Sequence, residues 1–282
     1  MKKYFICSDI HSNYDEWMTA LNKAGFSLDN EEHILINCGD LFDRGEKPSQ
    51  CLDFICDLID KNRAICIKGN HEVLMEMAVK AQHFNIYDEK NGTIKTFDNM
   101  YENKAGLQND ADLINKVWND PRIQKYFSKL LWYYETEKYV FVHAWIPEQK
   151  NWRHGFWANA IWDDPFVQWG NKILVKGKTI FCGHVHTFSA HAEYHNKGLG
   201  NLDRMYAKMS EKQLKNYFDK VKKKDGSHLK TVKRYLCFDE FKDEGIWALD
   251  GATVFSKQVN IAIRSKGMKE VGFLEAPIGV KK

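Results

Sequence analysis

No apolar run in the 282-residue chain reaches the ~18 residues that a membrane-spanning helix needs. The opening segment, Met1-Lys2-Lys3-Tyr4-Phe5-Ile6-Cys7-Ser8-Asp9, turns polar too soon for a signal peptide, so a cytoplasmic chain is expected. No C-x-x-C pair occurs, and the seven cysteines are an odd number. That speaks against a disulfide framework and against a structural zinc site. Charge of one sign is lacking too: 41 basic residues against 38 acidic leave +3, too small a bias to name a partner. No internal repeat, low-complexity tract or Pro/Gly linker interrupts the chain, so one domain over residues 1–282 is expected. With 44% hydrophobic and 28% charged residues, the composition is that of a globular protein.

Short apolar runs rich in β-branched and aromatic residues predict strands at Tyr4–Cys7, His33–Cys38, Ala64–Ile67, Tyr139–Val142, Thr179–Cys182, Ile246–Leu249 and Val259–Ile263. Helical spacing lies between the early ones. Trp17, Met18, Leu21 and Ala24 share a face before the stop at Gly25. Pro48 opens a second helix, and a third follows His71. Strand–helix–strand alternation predicts an α/β fold with right-handed crossovers. Residues 85–135 carry no strand signal and read as a helical cap. Lys197 to Arg234 holds twelve basic residues against four acidic ones. Its amphipathic spacing fits a solvated helix pair, and no nucleic-acid or membrane partner is expected from it.

Five predicted strands run directly into residues that can bind metal. They end in Asp9-Ile10-His11, in Gly39-Asp40 with Asp43-Arg44-Gly45 behind it, in Gly69-Asn70-His71-Glu72, in His143, and in Gly183-His184-Val185-His186. Ligand sites in α/β sheets lie outside the carboxyl ends of the strands. Carboxylates, an amide and imidazoles without a thiolate form a mixed O/N donor set. That suits manganese first, with iron or zinc also accepted, better than calcium. The set is too large for one ion and suits two divalent metal ions that share a carboxylate.

With these motifs the chain resembles the calcineurin-like metallophosphoesterases. The likeness is greatest to their phosphoprotein phosphatase branch, which includes phage-type serine/threonine phosphatases and diadenosine tetraphosphate hydrolases. The matching residues are Asp9-Ile10-His11, Gly39-Asp40-Leu41-Phe42-Asp43-Arg44-Gly45, Gly69-Asn70-His71-Glu72, His143 and Gly183-His184. The resemblance covers residues 1–84, 139–186 and loosely the strands from Gly245 on. It implies a four-layer α/β/β/α sandwich with insertions at about 85–135 and 187–240. It also implies that Asp9 and His11 bind one metal, that Asp40 bridges, and that Asn70, His143 and His184 bind the second. His186 would reach the first metal. Arg44 would clamp phosphate, with Asn70 beside it at the substrate. His71 would protonate the leaving group, oriented by Asp43, after attack by a metal-bridging hydroxide. Glu72 is expected to cap its helix.

One departure stands out. The phage-type branch carries a second arginine in a W-x-R element, where this chain has Ile161-Trp162-Asp163-Asp164-Pro165. Arg153 and Lys176 are candidates to replace it. Five of the nine tryptophans fall between Trp145 and Trp169 and read first as a wall of the core, otherwise as a nucleobase platform. The expected substrate is a phosphomonoester, in one form a phosphoserine or phosphothreonine protein. The alternatives are a dinucleoside polyphosphate or other nucleotide, a catalytically silent metal-containing binding module and, resting only on the basic stretch, a nuclease.

Overall fold

The computed structural model describes residues 1–101, 106–194 and 237–279, with the side chains of residues 192 and 193 left aside. The basic stretch from Lys197 to Arg234, with His195 and His228, lies outside the described residues. The chain begins with three parallel strands: β1 (Lys3–Cys7), β2 (His33–Asn37) and β3 (Ala64–Ile67). Helices α1 (Tyr14–Ala24) and α2 (Pro48–Asp60) connect them, and α3 (Asn70–Ala81) follows β3. Gly25 ends α1 in the left-handed conformation that a side chain would disfavour. Four short helices come next: α4 (Ile86–Asn91), α5 (Thr93–Met100), α6 (Asp110–Trp118) and α7 (Pro121–Phe127).

The sequence reading of 85–135 as wholly helical fails at its end. Leu130–Thr136 is a strand, β4, in the interior of the sheet. Its run Leu-Leu-Trp-Tyr-Tyr lacks the period-two alternation of a half-exposed strand, because both faces are covered. The chain continues with β5 (Tyr139–Phe141), α8 (Trp157–Ala160), α9 (Pro165–Gly170), β6 (Thr179–Cys182) and α10 (Thr187–Tyr194). It closes with β7 (Phe241–Asp243), β8 (Ile246–Ala248), α11 (Thr253–Ser256), β9 (Ala262–Arg264) and β10 (Glu270–Glu275). The strand expected at Val259–Ile263 thus falls slightly later. No helix among the described residues is long and apolar enough to cross a membrane.

The strands pair in the order β7-β8-β6-β5-β4-β3-β2-β1-β9, with β10 on β4. Alternation along each strand separates the core into layers. Phe5, Cys7, Leu35 and Cys66 face one cluster, which α1, α2, α6 and α7 cover. Val140, Val142, Ile180 and Cys182 face a second, with Trp157 and Trp169 from α8 and α9. The residues between, Ile6, Ile36, Phe141, Phe181 and Trp247, meet in a third cluster inside the curl. Phe181 stacks there between Phe141 and Trp247, with ring centroids 5.0 and 4.8 Å away. Helices, half-sheet, half-sheet and helices give the four layers.

The turning point of the sheet is β4. Leu131 pairs with Ile67 of β3 and with Glu275 of β10, while Tyr134 pairs with Phe141 of β5 and with Phe273 of β10. β10 therefore runs along one edge of β4, and β3 and β5 share the other. β3 is parallel to β4 and β5 antiparallel, so the two run toward each other and stop near Trp132. Their carboxyl ends, which carry Asn70 and His143, face one another.

Candidate metal centre

The residues at these facing ends converge in two groups whose ligand atoms lie within 4.8 Å of one another: His11, Asp40 and His71, and Asp40, His143 and His184. Asp40 belongs to both. Asn70 adds its Oδ1 to the second group, 2.8 Å from His143 Nε2 and 2.9 Å from His184 Nδ1. Asp9 and His186 fall in neither group. Both Asp9 carboxylate oxygens accept from the backbone N–H of His184, at 3.0 and 3.2 Å. His186 Nε2 lies 3.8 Å from Asp250 Oδ2.

Backbone bonds aim the imidazoles. His11 Nδ1 donates to the carbonyl of Phe42 at 2.9 Å, and His143 Nδ1 to that of Cys38 at 2.8 Å. Each ring then turns an Nε2 lone pair inward, the orientation a metal requires. On His143 that lone pair meets Asn70 Oδ1, another acceptor, and Asp40 Oδ1 at 3.4 Å. Acceptors crowded together in a buried space are what a cation between them would satisfy. The carboxylates point the same way. Asp40 is raised well above the usual range by burial and by the charges of Asp9 and Glu72. Asp9 is raised by burial and by Asp250. His184 is lowered by burial and by the neighbouring His143, which keeps its ring neutral. Paired buried acids with neutral imidazoles fit divalent ions of the oxygen- and nitrogen-seeking kind.

The loops that carry these groups are held in costly conformations. Among the described residues, twelve non-glycine residues have positive φ, and seven are Asp9, His11, Ser12, Asp40, Asp43, Arg44 and His184. Such conformations persist only where the surroundings over-determine them. Glu72 supplies part of that constraint. It accepts from the backbone N–H groups of Gly69, Asp40 and Leu41 at 2.8, 3.1 and 3.0 Å, and from Tyr126 Oη at 3.2 Å. The expected helix cap is thus also a brace between two ligand loops. Gly183 has a different reason: a Cβ there would overlap Asp9 Oδ2 and Ser8 Oγ.

Arg44 and His71 meet at this centre. The guanidinium donates to His11 Nε2 and to His71 Nε2, both at 3.0 Å. His71 Nδ1 donates to Asp43 Oδ2 at 2.7 Å. Burial pushes the Asp43 carboxyl up to about 7, against the opposing pull of Thr93, Thr96 and Arg44. The two threonines were not singled out in the sequence, because hydroxyls inside a helix are common. Arg153 turns away from this centre and forms an ion pair with Glu135, with Nε 2.7 Å from Oε2. Asp164 caps α9 through the N–H groups of Phe166 and Val167. Of the five clustered tryptophans, Trp145, Trp152, Trp157 and Trp169 are buried in the core as expected. Trp162 is 44% exposed, and its backbone lies near the His184 ring.

A family profile described as calcineurin-like phosphoesterase matches residues 2–188. An asymmetrical bis(5'-nucleosyl)-tetraphosphatase of Bacillus subtilis (strain 168) is 35% identical over 74 residues, 24% of this chain and 30% of that protein. A symmetrical bis(5'-nucleosyl)-tetraphosphatase of Buchnera aphidicola is 30% identical over 149 residues, 53% of this chain and 46% of its own length. The match therefore spans less than half of either relative. A crystal structure provisionally described as a diadenosine tetraphosphatase superposes with a TM-score of 0.52 at 13% identity, covering 96% of this chain and 93% of that one. At that identity the likeness concerns the fold.

Proposed function

The chain belongs to the calcineurin-like phosphoesterases, and from that premise we propose that it is a metal-dependent hydrolase of dinucleoside polyphosphates or a related nucleotide. The observation that carries the hydrolytic part is the meeting of Arg44 and the His71–Asp43 pair with two ligand groups that share Asp40. The substrate class draws support from the relatives, named as nucleotide hydrolases, and from exposed Trp162 beside His184. A phosphoprotein substrate, the first expectation from the sequence, has less behind it. The position of the second phosphate-gripping arginine holds Asp164 instead.

In this reading Asp9, His11 and Asp40 would hold one ion, and Asp40, Asn70, His143 and His184 the other. His186, which the resemblance would add as a ligand, falls outside both groups and stands beside Asp250. Bound divalent ions would polarise the phosphoryl oxygens and acidify the attacking water. The protein's own groups do the rest. Arg44 spreads a planar fork that two non-bridging phosphate oxygens can share. An arriving phosphate draws the guanidinium away from His71 Nε2 and leaves that nitrogen to carry a proton. His71 then gives the proton to the leaving oxygen, held in line by Asp43.

Metal-stripped protein reloaded with Mn²⁺ and offered diadenosine tetraphosphate, ATP, p-nitrophenyl phosphate and a phosphothreonine peptide tests the reading. We expect metal-dependent turnover fastest on the dinucleoside. Preference for the peptide would restore the phosphoprotein reading. Two ions bound without turnover of any substrate would point to a binding module.

A further inference from the structure

Helix α5 lies in the stretch that the family motifs do not reach, yet its first turn grips the catalytic pair. Thr93 Oγ1 donates to Asp43 Oδ2 at 2.8 Å. Thr96 Oγ1 donates to Asp43 Oδ1 at 2.8 Å and accepts from the Asp43 backbone N–H at 2.9 Å. Asp43 and both threonines are fully buried. The i, i+3 spacing puts the hydroxyls on one face of the helix. Threonines inside helices commonly bond back to their own backbone, but these two bond forward to a carboxylate. Gly92 makes the approach possible. It has φ +89°, and a Cβ there would stand 2.6 Å from the backbone nitrogen of Arg44. Lys95 Nζ adds a 3.2 Å bond to the Arg44 carbonyl.

We propose that Thr93 and Thr96 are positioning residues for proton donation: they fix the Asp43 carboxylate plane, and through it the His71 ring, on the leaving-group oxygen. The inference rests on the reading of His71 as the acid. In that step the P–O bond to the leaving group breaks, and its electron pair goes to the leaving oxygen, which takes the Nε2 proton. Water oxygen forms the new P–O bond, and the proton that water sheds returns to His71 through solvent. If the threonines only filled space, a valine of similar shape would serve as well.

The test compares leaving groups. Thr93→Val, Thr96→Val and the double variant, each reloaded with Mn²⁺, are assayed on phenyl phosphate, whose leaving group needs a proton, and on 2,4-dinitrophenyl phosphate, whose leaving group does not. We expect kcat on phenyl phosphate to fall about 10–100-fold in the double variant, the scale seen when an orienting partner is removed. On dinitrophenyl phosphate the change should stay within about threefold, as expected where general-acid help is not needed. The single Thr93→Val, which keeps the Thr96 bond, should lie between, and serine at both positions should restore the wild-type ratio. Equal losses on both esters, or no loss on either, would overturn the inference. If His71→Asn shows no such leaving-group dependence, the reading of His71 fails and this inference with it.

Discussion

The turn after β2 and the turn after β6 both deliver metal ligands, but they are held differently. Around residues 39–45, Glu72 takes the N–H groups of Asp40 and Leu41, Thr96 takes that of Asp43, and the Phe42 carbonyl orients His11. Around residues 183–186 the ties come from other elements: the Gly183 N–H donates to the His143 carbonyl, Asp9 receives the His184 N–H, Asn70 meets its ring, and His186 stands beside Asp250. Exposed Trp162 borders this second turn. The contrast teaches a division of labour. The first turn is fixed for chemistry that tolerates little displacement, and the second borders the surface where substrates can be told apart.

Four variants sharpen or break that division. Asp40→Asn should have the largest effect, because it removes the ligand that both groups share. Turnover should fall about 10³-fold, the size of a lost electrostatic contact to the transition state, and bound metal should fall with it. His71→Asn comes next: about 10²-fold lower kcat on poor leaving groups, with metal content unchanged by elemental analysis. On the other rim, Trp162→Ala should raise KM for diadenosine tetraphosphate about tenfold, as loss of one stacked base would, and leave KM for glycerol phosphate alone. A kcat loss there as large as that of His71→Asn would erase the division. His186→Ala is expected to matter least, less than about threefold in kcat with both ions retained, the size of a change outside both ligand groups. Loss of one ion would instead place His186 among the ligands, as the family resemblance implies.

Much of this centre is legible in the sequence because its residues are punctuated by strand ends and glycines. Asp40, Asn70, His143 and His184 each follow a short apolar run that a strand reading picks out. β4 is not legible, because its apolar run follows directly on a helical stretch. Without β4, the head-on meeting of β3 and β5 cannot be drawn, so the sequence places the ligands at strand ends but not the ends against each other. Thr93 and Thr96 are silent for another reason. Their partner is 50 and 53 residues away, and only the fold says which carboxylate they reach. His33 and His191 are buried, bonding the Ser27 N–H and the Asp239 carbonyl, ties that no motif announces.

The most direct test of the shared-ligand centre follows bound Mn²⁺ per chain and turnover together as stripped protein is titrated with the metal, in the wild type and in Asp40→Asn. The wild type should bind two ions, with turnover appearing as the second site fills, and Asp40→Asn should reach neither. Two ions and undiminished turnover in Asp40→Asn would contradict the account.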